Sequence, residues 1–465
     1  MTRIAVIGAG QTGATMALAL LNEGFEVTLY SDRTPQSLYE TTPPTGTAVM
    51  YGEAIAVERR FGLDTYQDVA PPIAGMTGYL LPEPGVELMH ISGSFGEYTG
   101  VGVDTRIRSF ERTNELIRRG GTFVVDEVTT ETIDEIAAAH DLTFVATGKG
   151  GLSGLFARDE QRSRYSEPQR YLAMITVTGV PVDESTFAHR GNDDGLRNIL
   201  SVVGSMGESI CCPFLHKTAG PSWSFLGLAR PGSEWERRLS TPADAAEMLA
   251  AVQELHHDHL PWDWPVVQRM EVVAEDRFSW LKGRVLPSVR AAVGLTSEGR
   301  PVMSLGDTSL AFDPVGAQGA QSGMKQAGHY IDAIKAHSGP YDEAWMTATF
   351  DDYYRRFGHA ANLVTSLFLE QAAGGPVNET LISAANGDSR VADALYQMLA
   401  APQKSLPLES VEAALDWIAS CINGSDPHEV LARAANRIEE AMTAHRAGKP
   451  YFTQAAEVEV EASAR

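Results

Sequence analysis

Apolar runs alternate with amphipathic stretches along the first third of the chain, and the first such alternation is the most informative. Ile4, Ala5, Val6 and Ile7 make a continuous apolar run, the pattern of a strand buried on both faces. Ala14, Ala17, Leu18 and Leu21 then recur at helical spacing, a stripe of small residues that can lie flat on a sheet. Val27 and Leu29 mark a returning strand. Further along, the pattern predicts a helix from Gly52 to Phe61 and short alternating strands from Met76 to Ile91. A helix led in by Val103 to Ile107 ends near Arg119, where Gly120 and Gly121 stop it. Thr122 to Val128 reads as a strand, and Asp141 to Gly148 as a buried strand running into a turn.

From Pro168 to Arg284 the pattern changes to β-branched and aromatic runs at Tyr171 to Val177, Ser209 to Phe214 and Ser222 to Leu228, which predict a separate antiparallel sheet. Pro301 to Leu305 is a further strand, followed by a helix from about Gln321 to Lys335. Tyr341 to about Ala447 is almost wholly helical by periodicity, and Gln454 to Arg465 is a polar tail. No internal repeat is present. The fold class is therefore α/β, a Rossmann-like domain with an inserted antiparallel sheet and a helical C-terminal region. The expected domains are a discontinuous nucleotide-binding domain (1–68, 100–165 and 285–340), a β-sheet substrate domain (69–99 and 166–284), a C-terminal helical region (341–450) and a tail (451–465).

Between the first strand and helix stands Gly8-Ala9-Gly10-Gln11-Thr12-Gly13. In that context the glycines have separate jobs: Gly8 allows the tight turn, Gly10 lets backbone N–H groups approach a pyrophosphate, and Gly13 lets the helix pack on the strand. The helix N-terminus then faces the phosphates with the positive end of its dipole. A second element, Gly306-Asp307 followed by Pro314, Gly316, Gln318, Gly319 and Ala320, also leads into a helix. Its carboxylate can bond the hydroxyls of a ribityl chain, and its glycine loop can bring N–H groups against a flavin's C2 carbonyl edge. The turn Thr147-Gly148, Val128 and Arg106 are further candidates beside the cofactor, although Arg106 is equally a cation pairing with Asp104 or Glu111 on the surface.

Other groupings carry less. Gly148 to Gly154 follows a strand, but no long helix and returning strand come after it, which argues against a second, nicotinamide-binding loop. His256, His257, Asp258 and His259 end a helix, where cationic side chains favour the dipole, so no metal site is expected. Trp262-Asp263-Trp264-Pro265 is similar to the tryptophan motif of flavin-dependent halogenases but lacks its Ile-Pro ending, and reads as core. No Ser/His/Asp or Cys/His spacing supports a nucleophile, and no protein residue is assigned as catalytic.

The chain has 465 residues, 21% charged and 43% hydrophobic, an ordinary globular balance. Its formal net charge of −23 disfavours nucleic acid as a partner. Three cysteines, two adjacent at Cys211 and Cys212, make no disulfide framework and read as buried small apolar residues in a reducing compartment. Gly8, Gly10 and Gly13 interrupt the apolar start, so it is not read as a signal peptide; no stretch is long and apolar enough to cross a bilayer, and a cytoplasmic protein is expected.

These motifs together resemble the oxygenase component of two-component styrene and indole monooxygenases, FAD-dependent epoxidases. The resemblance is carried by Gly8-Ala9-Gly10 to Gly13, Tyr30-Ser31-Asp32-Arg33, Val103 to Arg106, Arg119-Gly120-Gly121, Thr147-Gly148-Lys149, Pro168-Gln169-Arg170, and Gly306-Asp307 with Asp313 to Gly319, over about the first three quarters of the chain. It implies an FAD-binding domain of the aromatic-hydroxylase type. It also implies reduced FAD arriving as a diffusible co-substrate from a separate NADH-dependent flavin reductase, and O2 adding at the flavin C4a to give a hydroperoxide that epoxidises an electron-rich aromatic alkene or an indole-like substrate. Ser31 stands where such flavoproteins usually carry a ribose-binding Glu, with Asp32 and Arg33 beside it, which suggests a weakened contact suited to exchange. Pro44 to Val49 lacks the asparagine that these epoxidases place beside the flavin. Met76, Tyr79, Met174, Phe225 and Phe312 are the candidate substrate-lining residues, and a homodimer is allowed. The alternatives are a single-component hydroxylase or halogenase, and a non-catalytic binding protein on the same fold.

Overall fold

In the computed structural model, residues 2–192, 194–370, 375–405 and 408–448 are described, and the expected tail at 451–465 lies outside them. The chain forms two compact units. One comprises Met1–Asp68, Val103–Gln169 and Arg284–Thr365; the other comprises Val69–Gly102, Arg170–Gly283 and Ser366–Arg465.

The first unit is built on a six-stranded sheet whose order is Val293–Leu295, Pro301–Ser304, Leu142–Val145, Arg3–Ile7, Glu26–Ser31 and Thr122–Val125. All neighbours are parallel except the antiparallel edge pair of Val293–Leu295 with Pro301–Ser304. Val6 stands opposite Leu29 on one side and Phe144 on the other, so the apolar run is central. Its residues Ile4 to Val6 are completely buried, as a parallel strand covered on both faces requires. The helix Gln11–Asn22 buries Ala14, Ala17 and Leu18. It begins at Gln11, so Gly13 lies inside its first turn. The strand expected to reach Val128 ends at Val125, and Val128 packs instead on a small cluster that contains Ile133, Ile136, Leu152 and Phe156.

Three helices of this unit are joined by a buried charge cluster. Glu58, on Gly52–Arg60, receives Arg112 of Thr105–Arg118 in an ion pair, and Arg112 also donates to Thr15 Oγ1 of Gln11–Asn22 and to the Leu63 carbonyl at 3.2 Å. Arg108, one turn before Arg112, is completely buried with its Nε 3.3 Å from Glu58 Oε1, and none of its three guanidinium nitrogens has a hydrogen-bond partner. Burial lowers its pKa, opposed by Glu58.

The second unit holds an eight-stranded sheet ordered Glu271–Val272, Tyr171–Thr178, Gly220–Ala229, Gly207–His216, Arg197–Val203, Gly75–Leu81 and Met89–Ser94, with Trp280–Arg284 also on Tyr171–Thr178. It is antiparallel as expected except that Arg197–Val203 and Gly75–Leu81 run parallel. One face carries Tyr79, Ile175, Ile199, Cys211 and Phe225 into a core with Trp235, Leu239, Met248, Val252 and Leu255 of the helices Glu234–Ser240 and Ala245–His259. Against the strands at the other end lies the helix Ser389–Ala400, whose Tyr396 donates to the Ile91 carbonyl at 3.1 Å. The close approach is made by glycines: a Cβ on Gly93 would fall 2.7 Å from the Ala392 carbonyl, and one on Gly78 2.9 Å from the Tyr396 hydroxyl.

Cys211 and Cys212 are both buried on Gly207–His216, and burial pushes the Cys212 thiol up to about 12. His90, whose Nε2 lies 2.9 Å from Thr77 Oγ1, is pushed down to about 4 by burial and by the cation of Arg190. Below the ordinary histidine value the unfolded chain takes up a proton that folded His90 refuses. Its contribution is therefore fully present above about pH 6.5 and is lost as the pH falls toward 4. Melting curves of the wild type and His90→Gln should differ by roughly 2–6 °C less at pH 4.5 than at pH 7. A difference independent of pH refutes this.

Candidate functional site

The two glycine elements meet in the first unit. Gly8, at φ +112°, makes the turn out of the first strand, and a Cβ there would fall 2.4 Å from the Ala146 carbonyl oxygen. Only glycine lets the first strand and the Leu142–Val145 strand end so close together. Gly13 is just as constrained, since its Cβ would lie 1.9 Å from the Gly8 carbonyl oxygen. Gly10 is the opposite case: it is exposed and extended, at φ −66° and ψ 175°, and a Cβ there meets no heavy atom within 4 Å. That space lies at the N-terminus of the twelve-residue helix, where N–H groups have no partner within the helix. Gln11 is buried there, its Oε1 without a hydrogen-bond partner.

Thr12 links this loop to the second element. A Cβ on Gly306 would sit 3.3 Å from the Thr12 side chain, and one on Gly323 would sit 2.5 Å from Thr12 Oγ1. The Gly306–Thr308 turn and the helix Gly319–Ala336 are thus packed on the first turn of Gln11–Asn22. The Gly306 N–H donates to Gln326 Oε1 at 2.8 Å, and Gln326 Nε2 donates to Ser309 Oγ and the Tyr330 hydroxyl, each at 2.9 Å. Thr308 Oγ1 donates to the Gly148 carbonyl at 3.0 Å, tying in the Thr147-Gly148 turn. Asp307 lies beside the start of the second helix, its Oδ1 3.8 Å from where a Gly319 Cβ would be, and its Oδ2 is 3.3 Å from Lys149 Nζ.

The loop before that helix is fixed from within. Buried Asp313 accepts from the Val315 N–H at 3.1 Å, and buried Gln318 donates to the Gly316 carbonyl at 2.7 Å. Ala317 there takes φ +51°, and Ala48, in the loop lacking the relatives' asparagine, takes φ +48°. Left-handed backbone costs alanine about 1 kcal/mol and is tolerated better by asparagine. Two of the three left-handed non-glycine residues among those described therefore lie in the loops that the sequence assigns to the flavin, and such strain gathers at ligand sites.

Other candidates take less expected places. Arg106 does pair with Asp104, with Nη2 2.7 Å from Oδ2, but the pair is buried rather than on the surface, and Arg106 Nη1 also holds the Thr42 carbonyl at 3.0 Å. Ser31 is buried at the end of the second strand, while Asp32 and Arg33 are half-exposed and paired with each other at 2.6 Å. Among the substrate candidates, Phe312 lies in the core of the first unit. The strand registers place Tyr79 and Phe225 on the helix-covered face of the second sheet and Met76 and Met174 on the opposite face, so the four do not share one wall. His256 Nδ1 donates to the Val252 carbonyl at 2.8 Å, and His259 Nδ1 accepts from Trp235 at 2.7 Å. Among the described residues no three such side chains converge as a metal site.

Lys149 enters the sequence reading only as part of the Thr147-Gly148-Lys149 turn and the glycine stretch after it, and Gln326, Gly323 and Thr308 do not enter it. The four-residue spacing of Gly319, Gly323 and Ala327 is a readable sign of close helix packing; Gln326 and Thr308 carry no local signal.

Comparison with known proteins agrees with this geometry. Residues 148–265 match the family model of the styrene monooxygenase A substrate-binding domain, and residues 3–59 match that of the coenzyme F420-dependent NADP oxidoreductases. Styrene monooxygenase StyA of Pseudomonas fluorescens is 27% identical over 345 residues, 72% of this chain and 78% of that protein. The StyA of a Pseudomonas species is likewise 27% identical over 345 residues, 72% of this chain and 78% of its own length. In fold the chain is similar to 2-methyl-3-hydroxypyridine-5-carboxylic acid oxygenase (TM-score 0.55, 14% identity, 92% of this chain and 99% of that one). It is also similar to Klebsiella pneumoniae HpxO complexed with FAD (TM-score 0.52, 15% identity, 91% and 99%) and to the flavin-dependent brominase Bmp2 (TM-score 0.56, 13% identity, 87% and 98%). The chain is a flavin-dependent monooxygenase with the fold of these oxygenases. More narrowly, it is a styrene monooxygenase-like oxygenase.

Proposed function

We propose that this protein takes reduced FAD from a separate NADH-dependent flavin reductase and uses O2 to oxygenate an electron-rich aromatic substrate, by epoxidation of an alkene of the styrene or indole kind. The observation that carries the reading is the contact of Thr12 with both Gly306 and Gly323, which supports a single cofactor spanning the two glycine elements. When bound, reduced FAD would supply the two electrons that activate O2, one atom of which goes to the substrate and the other to water.

The chain's own residues bind and orient. Backbone N–H groups at Gly10 to Gly13 take the pyrophosphate, with Gly10 leaving room for it. Asp307 accepts from ribityl hydroxyls, and the turn of Thr147 and Gly148 borders the same chain. Pro314, Gly316, Gln318, Gly319 and Ala320 present the N-terminus of an eighteen-residue helix to the ring, which favours the anionic reduced state. Buried Ser31 offers a hydroxyl, not a carboxylate, to the ribose, and Asp32 is already engaged by Arg33, which suits a cofactor that must leave after each turnover. Met76 and Met174, buried on one face of the second sheet, supply an apolar, adaptable wall for an aromatic substrate.

The test is reconstitution. The protein with NADH and FAD alone should leave NADH unconsumed; addition of an NADH:flavin reductase should give oxygenated product from styrene, indole or an aryl sulfide. NADH oxidation by the isolated protein would instead establish a single-component hydroxylase, and a product that requires halide a halogenase. FAD should bind more tightly reduced than oxidised; equal affinity for the two states defeats the exchange reading.

A further inference from the structure

Asp307 is not alone at its turn. Lys149 Nζ stands 3.3 Å from its Oδ2, both side chains about two-fifths exposed (41% and 39%), and Arg290 Nη1 approaches the Asp307 carbonyl at 3.4 Å. The position of Lys149 is built rather than incidental. It follows the Ala146 carbonyl against which Gly8 turns, and Thr308 holds the neighbouring Gly148 carbonyl, so the lysine is delivered between the Gly8 to Gly13 loop and the Asp307 turn. Gly148 and Gly150 on either side of it face open space. An ammonium on a flexible four-carbon stem can change partners without moving the backbone.

A ligand spanning the two glycine elements brings a doubly charged pyrophosphate next to this ammonium and hydroxyl groups next to this carboxylate. We propose that Lys149 exchanges Asp307 for the FAD pyrophosphate on binding, offsetting one of its two negative charges and freeing the carboxylate for the ribityl chain. This rests on the FAD site proposed above. It makes Lys149 a determinant of preference for phosphate-bearing flavins: in a chain of net charge −23 a local cation is needed to receive a polyanion. Before loading, its pairing with Asp307 keeps the carboxylate from repelling the incoming phosphates.

The experiment compares binding of FAD and riboflavin, by flavin fluorescence and calorimetry at low and high salt, to the wild type, Lys149→Met, Lys149→Arg and Gly10→Val. Lys149→Met should weaken FAD about tenfold and flatten its salt dependence while leaving riboflavin within twofold, and Lys149→Arg should keep FAD within about threefold. Unchanged FAD affinity in Lys149→Met, or an equal loss for riboflavin, overturns the proposal. Wild-type FAD affinity in Gly10→Val would show instead that the cofactor site itself is misassigned.

Discussion

Gly10→Val should leave the protein folded and lower its affinity for FAD at least about a hundredfold, with monooxygenation lost in parallel. Both halves come from the same geometry. At φ −66° and ψ 175° the backbone of residue 10 is one that valine adopts readily, and its Cβ would meet nothing within 4 Å, so the melting temperature should stay within about 2 °C. The space it fills is the one through which a pyrophosphate reaches the helix N-terminus, and closing it removes several charge-assisted hydrogen bonds together. Gly13→Ala is the contrasting control: its Cβ would overlap the Gly8 carbonyl at 1.9 Å, so helix and strand must separate and stability falls along with binding. Circular dichroism melts with a flavin titration on the two variants decide the matter. A Gly10→Val protein binding FAD within threefold of the wild type would remove the pyrophosphate assignment.

Glu58→Gln should destabilise the first unit by about 3–5 kcal/mol, seen as a lower urea midpoint. Glu58 is the carboxylate that Arg108 and Arg112 share, and all three are buried, so its loss leaves two guanidinium charges in a low-dielectric interior without a counter-charge from Glu58, with the Tyr66 ring at 5.2 Å and 6.0 Å and, for Arg112, the neutral acceptors Thr15 Oγ1 and the Leu63 carbonyl. Arg108→Met should behave differently. None of its guanidinium nitrogens is hydrogen-bonded, so an apolar chain of similar length removes a buried charge without orphaning a donor pair, and stability should hold or rise. A Glu58→Gln loss below about 1 kcal/mol, or an Arg108→Met loss as large as that of Glu58→Gln, would show that the cluster is not organised by its charge.

Local pattern was a good guide wherever one element explains itself. The buried strand at Ile4 to Ile7, the helix at Gly319 to Ala336 and the helices after Tyr341 follow from periodicity, because a period of 2 or 3.6 records which face meets the core. Boundaries were less legible: Val128 falls outside its strand because what ends a strand is the loss of a neighbour, not a change of residue type. Periodicity alone groups the helices beyond Tyr341 as one region, yet Glu343–Tyr353 belongs with the first unit and Ser389–Ala400 with the second, since an apolar helical face does not state which sheet it will cover. The substrate candidates illustrate the same limit. Tyr79 and Phe225 are apolar aromatic strand residues like many pocket residues, and only strand register shows that they face a helix-packed core while Met76 and Met174 face the other way.

What the sequence by itself determined is the pair of glycine elements and the helices they open, because a tight turn and a bare helix N-terminus are written in a few consecutive residues. The tertiary structure alone decided that these elements, some three hundred residues apart, meet at Thr12, that Gln326 and Thr308 lock the second turn in place, and that Lys149 faces Asp307. Contacts between distant segments depend on how whole elements pack, and packing is a property of surfaces that no single stretch of the chain contains.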